Sequence, residues 1–219
     1  MSFNEQTARG TGNSQQHPSS LPTLSDRSTP ALPTSLWSSE DFMLGAGAII
    51  IQPSTDKVCI LEDAVRYPGS YFLPRGRKDV GESLEQTVLR EAHEESGYRV
   101  EFLPAAHPVL QPRSQQDMLT SEAFHISLTP FHHRRRGPLP NTGGEYLVFW
   151  FLCQIAEDAE PEQGTRMPDE QGYVTHLLSI DDALAKMARS GDTLEYHVLR
   201  RGVEIYLDTT ILLNEARAP

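Results

Sequence analysis

The chain has 219 residues and a formal charge of −11, from 30 acidic side chains against 19 lysines and arginines. A chain of that length makes one domain with extensions, or two small ones, and buries a core without disulfide or metal staples. Its acidic balance argues against a general nucleic-acid coat, which would show a basic domain, but leaves room for a local cationic pocket. Mean hydropathy is −0.43, on the polar side for a globular chain, so part of the sequence is expected to stay outside the core.

That part is the first 40 residues. Ser, Thr and Pro supply 18 of them, and no apolar periodicity appears before Leu36-Trp37. Such a segment cannot bury enough surface to offset its ordering entropy, so a flexible tail is expected over 1–40 and one domain over 41–219. The N-terminus lacks a hydrophobic signal core, and the longest apolar runs, Met43 to Ile51 and Tyr146 to Cys153, fall short of the ~20 residues that span a bilayer. Cys59 and Cys153 each sit inside an apolar stretch, the pattern of buried free thiols in a reducing compartment. The expectation is a cytoplasmic protein, with the nucleus left open and no membrane partner.

From Asp41 onward the chain reads as an α/β domain. Leu44–Gln52 and Lys57–Asp63 read as neighbouring buried strands across the Pro53-Ser54-Thr55-Asp56 turn. Tyr71-Phe72-Leu73 reads as a short strand entering a Gly-rich loop. A helix is expected over Ser83–Ser96, then strands over Arg99–Leu103, Ala123–Leu128 and Glu145–Ile155, the last two separated by a long His- and Arg-rich loop. Trp150 and Phe151 are expected in the core. Val174–Ile180 reads as a last strand, leading through Asp181-Asp182 into a helix over Ala183–Arg189. A closing helix over Leu194–Glu215 has Gly202 and Thr209-Thr210 as weak spots. The order implies a mixed sheet with helices packed on it.

The helix over Ser83–Ser96 carries the chemistry. Ser83 and Gln86 fit a capping box, and Gly97 fits the position after the last turn. Leu84, Val88 and Ala92, with Leu89 alongside, make an apolar stripe, and Arg90, Glu91, Glu94 and Glu95 are expected on the opposite side. Glu91 and Glu95 are spaced i, i+4 and Glu91 and Glu94 i, i+3, so the three carboxylates are expected to converge. Each like-charge pair costs the helix ~0.2–0.5 kcal/mol, a penalty that a bound divalent cation would reverse. Mg2+ takes oxygen ligands and keeps water and substrate phosphates in its remaining positions. A carboxylate cluster beside a Gly-rich turn therefore suits metal-assisted attack on a diphosphate. Three glutamates alone would read as a solvated acidic face.

The full spacing is more specific: Gly76, five residues, Glu82, seven residues, Arg90-Glu91-Ala92, one residue, Glu94-Glu95, one residue, Gly97 and Tyr98. This run resembles the Nudix box at every fixed polar and glycine position, with Ala92 and Tyr98 where bulky aliphatics are usual. The flanking order is similar to that family's α/β/α sandwich with a mixed central sheet. The resemblance implies hydrolysis of a diphosphate joined to another moiety, with Mg2+ or Mn2+ as cofactor. It implies Glu91 and Glu95 as metal ligands, and Glu94 on a second ion or on the attacking water. Arg90 would orient a metal-binding glutamate, Gly76 would admit the backbone to the metal through its carbonyl, and Glu82 would support the loop or the outer metal shell.

The box leaves the substrate open. Arg75, Arg77 and Lys78 put three cations beside it, and Pro74-Arg75-Gly76 resembles the Pro-Lys-Gly of family members that cleave diadenosine polyphosphates, diphosphoinositol polyphosphates or capped RNA. The run His132-His133-Arg134-Arg135-Arg136 adds a second cluster, so Arg134, Arg135 and Arg136 join the expected phosphate contacts. A small polyphosphorylated substrate is favoured. Pro112, fourteen residues after Tyr98, lies near the place of a proline in ADP-ribose enzymes, which makes ADP-ribose the alternative, with Tyr67 and Tyr71 as aromatic contacts. A module that binds without turnover and an mRNA decapping role are further alternatives; the intact carboxylates weigh against the first and the acidic charge against the second. Glu145 and Glu170 are the candidates for a base outside the box. Oligomeric state is left open.

Overall fold

A computed structural model describes residues 24–29, 34–112, 118–133 and 142–218. The chain divides into two units, Met1–Trp37 and Ser38–Pro219. The expected tail over 1–40 falls mostly outside the described residues, and every strand and helix below belongs to the second unit. In chain order they are β1 (Phe42–Gln52), β2 (Lys57–Asp63), β3 (Tyr71–Phe72), β4 (Arg75–Arg77), α1 (Leu84–Ser96), β5 (Glu101–Phe102), β6 (His125–His133), β7 (Thr142–Gln154), β8 (Tyr173–Ser179), α2 (Ile180–Ser190) and α3 (Thr193–Arg217).

β1 and β7 run parallel at the centre, from Phe42↔Glu145 to Ile51↔Gln154. Both faces of this pair are covered, which is why their sequences are near-continuous apolar runs. The other pairings are antiparallel. β2 and then β8 extend the sheet on one side, with β3 on β2, and β6 and β5 extend it beyond β7. β4 pairs with β1 through Gly45↔Arg77, Ala46↔Gly76 and Gly47↔Arg75.

Helices cover both faces, giving the expected α/β/α sandwich. On one face Val88 and Ala92 of α1 pack with Ala46, Ala48, Ile50 and Leu61. On the other, Met187 of α2 and Val198, Leu199 and Ile205 of α3 pack with Ile49, Ile51, Ile60 and Trp150. Full burial of one such aliphatic side chain stabilises by ~1.5–3 kcal/mol. The alternation Gly45-Ala46-Gly47-Ala48 serves both layers: the alanines let α1 approach the sheet, and a Cβ on Gly47 would overlap the Trp150 ring. Trp150 and Phe151 lie in the core as expected. Cys59 and Cys153 are free and buried, and burial pushes each thiol up to about 12.

Elsewhere the elements differ from those expected. Arg75–Arg77 forms a strand rather than a loop, because β2 pairs with β1 only from Ile50 onward and leaves the edge beside Gly45–Gly47 to be satisfied. β6 runs on to His133 and β7 begins at Thr142, so His132 and His133 stand in a strand and the expected long loop shrinks. Arg134, Arg135 and Arg136 lie outside the described residues. α2 starts at Ile180 because the Ser179 hydroxyl accepts the Asp182 N–H (3.2 Å) and caps it there; Asp181 and Asp182 then sit in the first turn, where carboxylates suit the helix dipole. α3 continues through its weak spots. A Cβ on Gly202 would press on Ile49, and the Thr209 and Thr210 hydroxyls donate back to the Ile205 and Tyr206 carbonyls at 2.7 and 2.9 Å. Among the described residues no helix is long and apolar enough to cross a membrane.

Candidate active site

Strand β4 and helix α1 meet at Gly76. The helix opens at Ser83, whose hydroxyl accepts the Gln86 N–H while the Gln86 side chain accepts the Ser83 N–H (2.8 Å). It closes at Gly97 with φ 81°, the left-handed conformation glycine adopts without strain. Glu91 and Glu95 turn toward β4 and are 9% and 6% exposed. They stand beside Val88 and Ala92, not opposite them as expected, because Glu91 is spaced i+3 from Val88 and Glu95 i+3 from Ala92, which is one face of a helix; the last turns of α1 are also covered on a second flank. There, in the segment 156–172 before β8 and in β8 itself, the Thr165 hydroxyl, Arg166 Nε and the Thr175 hydroxyl donate to the carbonyls of Glu94 (2.9 Å), Glu95 (3.0 Å) and Ser96 (2.9 Å). These donors satisfy carbonyls the helix leaves without partners and bring a cation to its negative end.

Arg90 organises the rim. Its Nε and Nη2 grip Glu82 Oε1 and Oε2 at 2.8 and 2.9 Å, and Nη1 donates to Glu91 Oε1 (2.7 Å) and Glu94 Oε2 (2.9 Å). Nη2 also reaches the Arg77 carbonyl (2.9 Å), which ties the helix to β4. Glu82 further accepts the Asp79 N–H and the Thr87 hydroxyl. These donors, Arg90 above all, hold its carboxyl at about 2.

Glu91 and Glu95 are the opposite case. Burial pushes both above the usual carboxylate range, Glu95 well above it, and the Glu170 carboxylate adds to both. Arg90 offsets part of this at Glu91, and the Arg75 N–H, given to Glu95 Oε2 at 2.9 Å, offsets part at Glu95. Arg90 draws Glu91 and Glu94 together, and Glu91 and Glu95 both lie against β4, at Gly76 and at the Arg75 N–H. Among the described residues no three His, Cys, Asp or Glu side chains gather closely enough to enclose an ion by themselves. Two buried carboxylates with one guanidinium contact between them still suit a hard divalent cation, since the donors are oxygen and water and phosphate oxygens complete such a shell. A Cβ on Gly76 would overlap the Glu91 carboxylate, so only glycine leaves this space open.

Of the cations expected to meet phosphate, Arg77 is exposed at the end of β4 and Lys78 gives Nζ to the Asp79 carbonyl at 3.1 Å. Arg75 turns to the other face of the sheet, where its Nε meets Glu195 Oε1 at 2.8 Å. Of the two acids considered outside the box, Glu170 accepts the Met167 N–H (3.1 Å) and raises Glu91 and Glu95, whereas Glu145 sits on β7 opposite Phe42 and Pro130. Nothing in the motif points to Glu195, which is 1% exposed. Its one signal is position: it continues the buried stripe of Val198, Leu199, Gly202 and Tyr206, where a carboxylate is out of pattern.

Residues 41–196 match the NUDIX domain. Among solved structures, the chain is similar to a NUDIX hydrolase from Nitrosomonas europaea (23% identity over 76% of this chain and 88% of that one, TM-score 0.45). It is also similar to the dihydroneopterin triphosphate pyrophosphohydrolase of E. coli (12%, covering 73% and 94%, TM-score 0.46) and to an Ap4A hydrolase of C. elegans (15%, covering 76% and 98%, TM-score 0.42).

Proposed function

This chain belongs to the NUDIX family and is a pyrophosphohydrolase, and we propose that it cleaves a diphosphate linkage in a small, highly phosphorylated metabolite, a diadenosine polyphosphate or a diphosphoinositol polyphosphate, in the cytoplasm. The observation that carries this reading is the pair of buried carboxylates Glu91 and Glu95 against Gly76, with Arg77 and Lys78 following in the chain. Enzymes of this family need divalent metal ions. We assign Mg2+ or Mn2+, held by Glu91, Glu95 and the Gly76 carbonyl, with Glu82 behind them and Glu94 able to take a second ion. Such an ion, when bound, draws off the negative charge that develops on the phosphoryl oxygens.

The chain's own residues position and move the proton. Glu94, partly exposed and fixed by Arg90, accepts a proton from the attacking water as its oxygen bonds to phosphorus and the bridging P–O bond opens. Glu170 is the acid from outside the box placed to share that task, with Glu145 the second candidate. Arg90 keeps Glu82, Glu91 and Glu94 at fixed separations. Arg77, Lys78, Arg134, Arg135 and Arg136 take the phosphate charge, while Arg75, expected among them, is engaged by Glu195.

A substrate panel in Mg2+ tests this: diadenosine polyphosphates, a diphosphoinositol polyphosphate, ADP-ribose, nucleoside triphosphates and capped RNA, with Glu95→Gln as control. Faster cleavage of the most phosphorylated members, abolished in Glu95→Gln, is expected. AMP released from ADP-ribose at higher rates would move the substrate to nucleoside diphosphate sugars, and full turnover by Glu95→Gln would remove Glu95 from the site.

A further inference from the structure

We propose that Glu195 on α3 is a positioning residue for the hydrolysis: acting through Arg75, it sets strand β4, and with it Gly76, against Glu91 and Glu95. The proposal rests on the reaction taking place at the box.

A carboxylate that is 1% exposed is tolerated only where its oxygens are matched. Both oxygens of Glu195 are. Oε2 accepts the Leu73 N–H at 2.6 Å and Oε1 accepts the Arg75 Nε–H at 2.8 Å. The two donors flank Pro74, which has no N–H of its own and whose carbonyl accepts the Ala48 N–H at 2.9 Å. The entry to β4 is thus tied to α3 and to β1 at once. On the opposite face of the sheet, the Arg75 main-chain N–H goes to Glu95 Oε2 at 2.9 Å. Arg75 is therefore held by two buried carboxylates from helices on the two sides of the sheet, by its side chain from one and by its backbone from the other. The next residue is Gly76, where there is no room for a Cβ beside the Glu91 carboxylate.

β4 spans three residues, too few to fix its own register by ladder bonds. Beside its pairing with β1 and the Arg90–Arg77 bond, its position depends on what grips it at Leu73 and Arg75, and any slack there is transmitted to Gly76 and to the Arg75–Glu95 bond. Misplacement of reacting groups by ~1 Å is enough to cost about 10²-fold in rate. Glu195 stands far along the chain from the box, yet it supports the one strand the box glycine occupies.

The full chain with Mn2+ provides the test. Glu195→Gln keeps an acceptor for Leu73 and removes the charge facing Arg75. Combining it with Arg75→Met also removes the guanidinium, which would otherwise be left without its partner. Thermal midpoint, kcat, KM and Mn2+ affinity by electron paramagnetic resonance are read on both, with the panel substrate that the unaltered chain cleaves fastest. Both variants should fold, with kcat and Mn2+ affinity lowered by ~10–100-fold and KM near its original value. The double variant should be no worse than the single, because both changes act through one contact. Unchanged kcat and Mn2+ affinity beside a lowered thermal midpoint would make Glu195 purely structural and overturn the proposal. A change confined to KM would overturn it too, by placing Arg75 on the substrate. Glu95→Gln separates the two readings. If it leaves Mn2+ affinity intact, the placement of the reaction at the box has failed and the proposal falls with it; if it weakens Mn2+ while Glu195→Gln does not, the positioning role alone has failed.

Discussion

Glu82 and Glu95 share one motif and one functional group, yet they sit at opposite ends of the carboxylate range. Glu82, bonded by Arg90, Asp79 and Thr87, is held at about 2. Glu95, buried beneath β4 with the Arg75 N–H on one oxygen and the Glu170 charge nearby, is pushed well above the ordinary value. The difference lies in where Arg90 points. Its guanidinium closes on the rim, stabilises ionised Glu82 and reaches Glu91 in part, while the floor of the site is left short of positive charge. A motif built for stability alone would pair its buried carboxylates and leave the exposed one to water. Here Arg90 pairs Glu82 at the rim and Glu91, but the more deeply buried Glu95 takes only a backbone N–H, which suits a floor that is completed by a divalent cation.

The severest way to disturb the floor is steric. In Gly76→Ala the new Cβ would occupy the place of the Glu91 carboxylate, so either the carboxylate or β4 has to move. Turnover is expected to fall by about 10²-fold and stability by ~1–3 kcal/mol, read as kcat and as a urea midpoint. Wild-type turnover in the alanine variant would mean that Glu91 does not work against β4. Arg90→Gln acts on the rim and reaches the floor only through Glu91. It removes the grip on Glu82 and the offset at Glu91 together, and activity should fall by ~10–100-fold. A loss larger than that of Gly76→Ala would mean that Arg90 acts on the reacting groups themselves.

The ends of α1 were legible because capping is local: Ser83, Gln86 and Gly97 act within a few residues of the helix they bound. The box residues could be named for a related reason, their fixed spacing along the chain from Gly76 to Tyr98. What each carboxylate experiences was not legible, since Gly76 and the Arg75 N–H, which meet Glu91 and Glu95, stand on a separate strand. Arg75–Arg77 resembled a loop because three residues are too few to show a period, and its pairing is decided by an edge that β2 leaves open. The His- and Arg-rich stretch after Leu128 has the composition of a loop, yet through Pro130 to His133 it pairs across β7. Glu195 was readable only as a carboxylate on an apolar stripe, for its partners Leu73 and Arg75 lie in a different part of the chain.

Glu82 and Glu95 also make opposite demands on stability. Glu82 drops from 4.5 to about 2 on folding, so the folded chain favours its ionised form. That contribution is complete above pH 4.5 and is lost as pH falls through about 2. Glu95 moves upward, so the folded chain favours its proton. Ionising it costs stability, and that cost shrinks as pH falls below its raised value and is gone below 4.5. Glu82→Gln is therefore expected to lower the thermal midpoint by about 2–4 °C at pH 7, and by progressively less in acid. Glu95→Gln, melted in chelator, should raise the midpoint at pH 7 and lose that gain in acid. Mg2+ should then stabilise the unaltered chain and not Glu95→Gln, which reverses their order. Paired melts in chelator and in Mg2+ across the acid range read all of this. If Glu95→Gln lowers the midpoint in chelator as Glu82→Gln does, Glu95 is a satisfied structural carboxylate and the floor of the site is not where positive charge is missing.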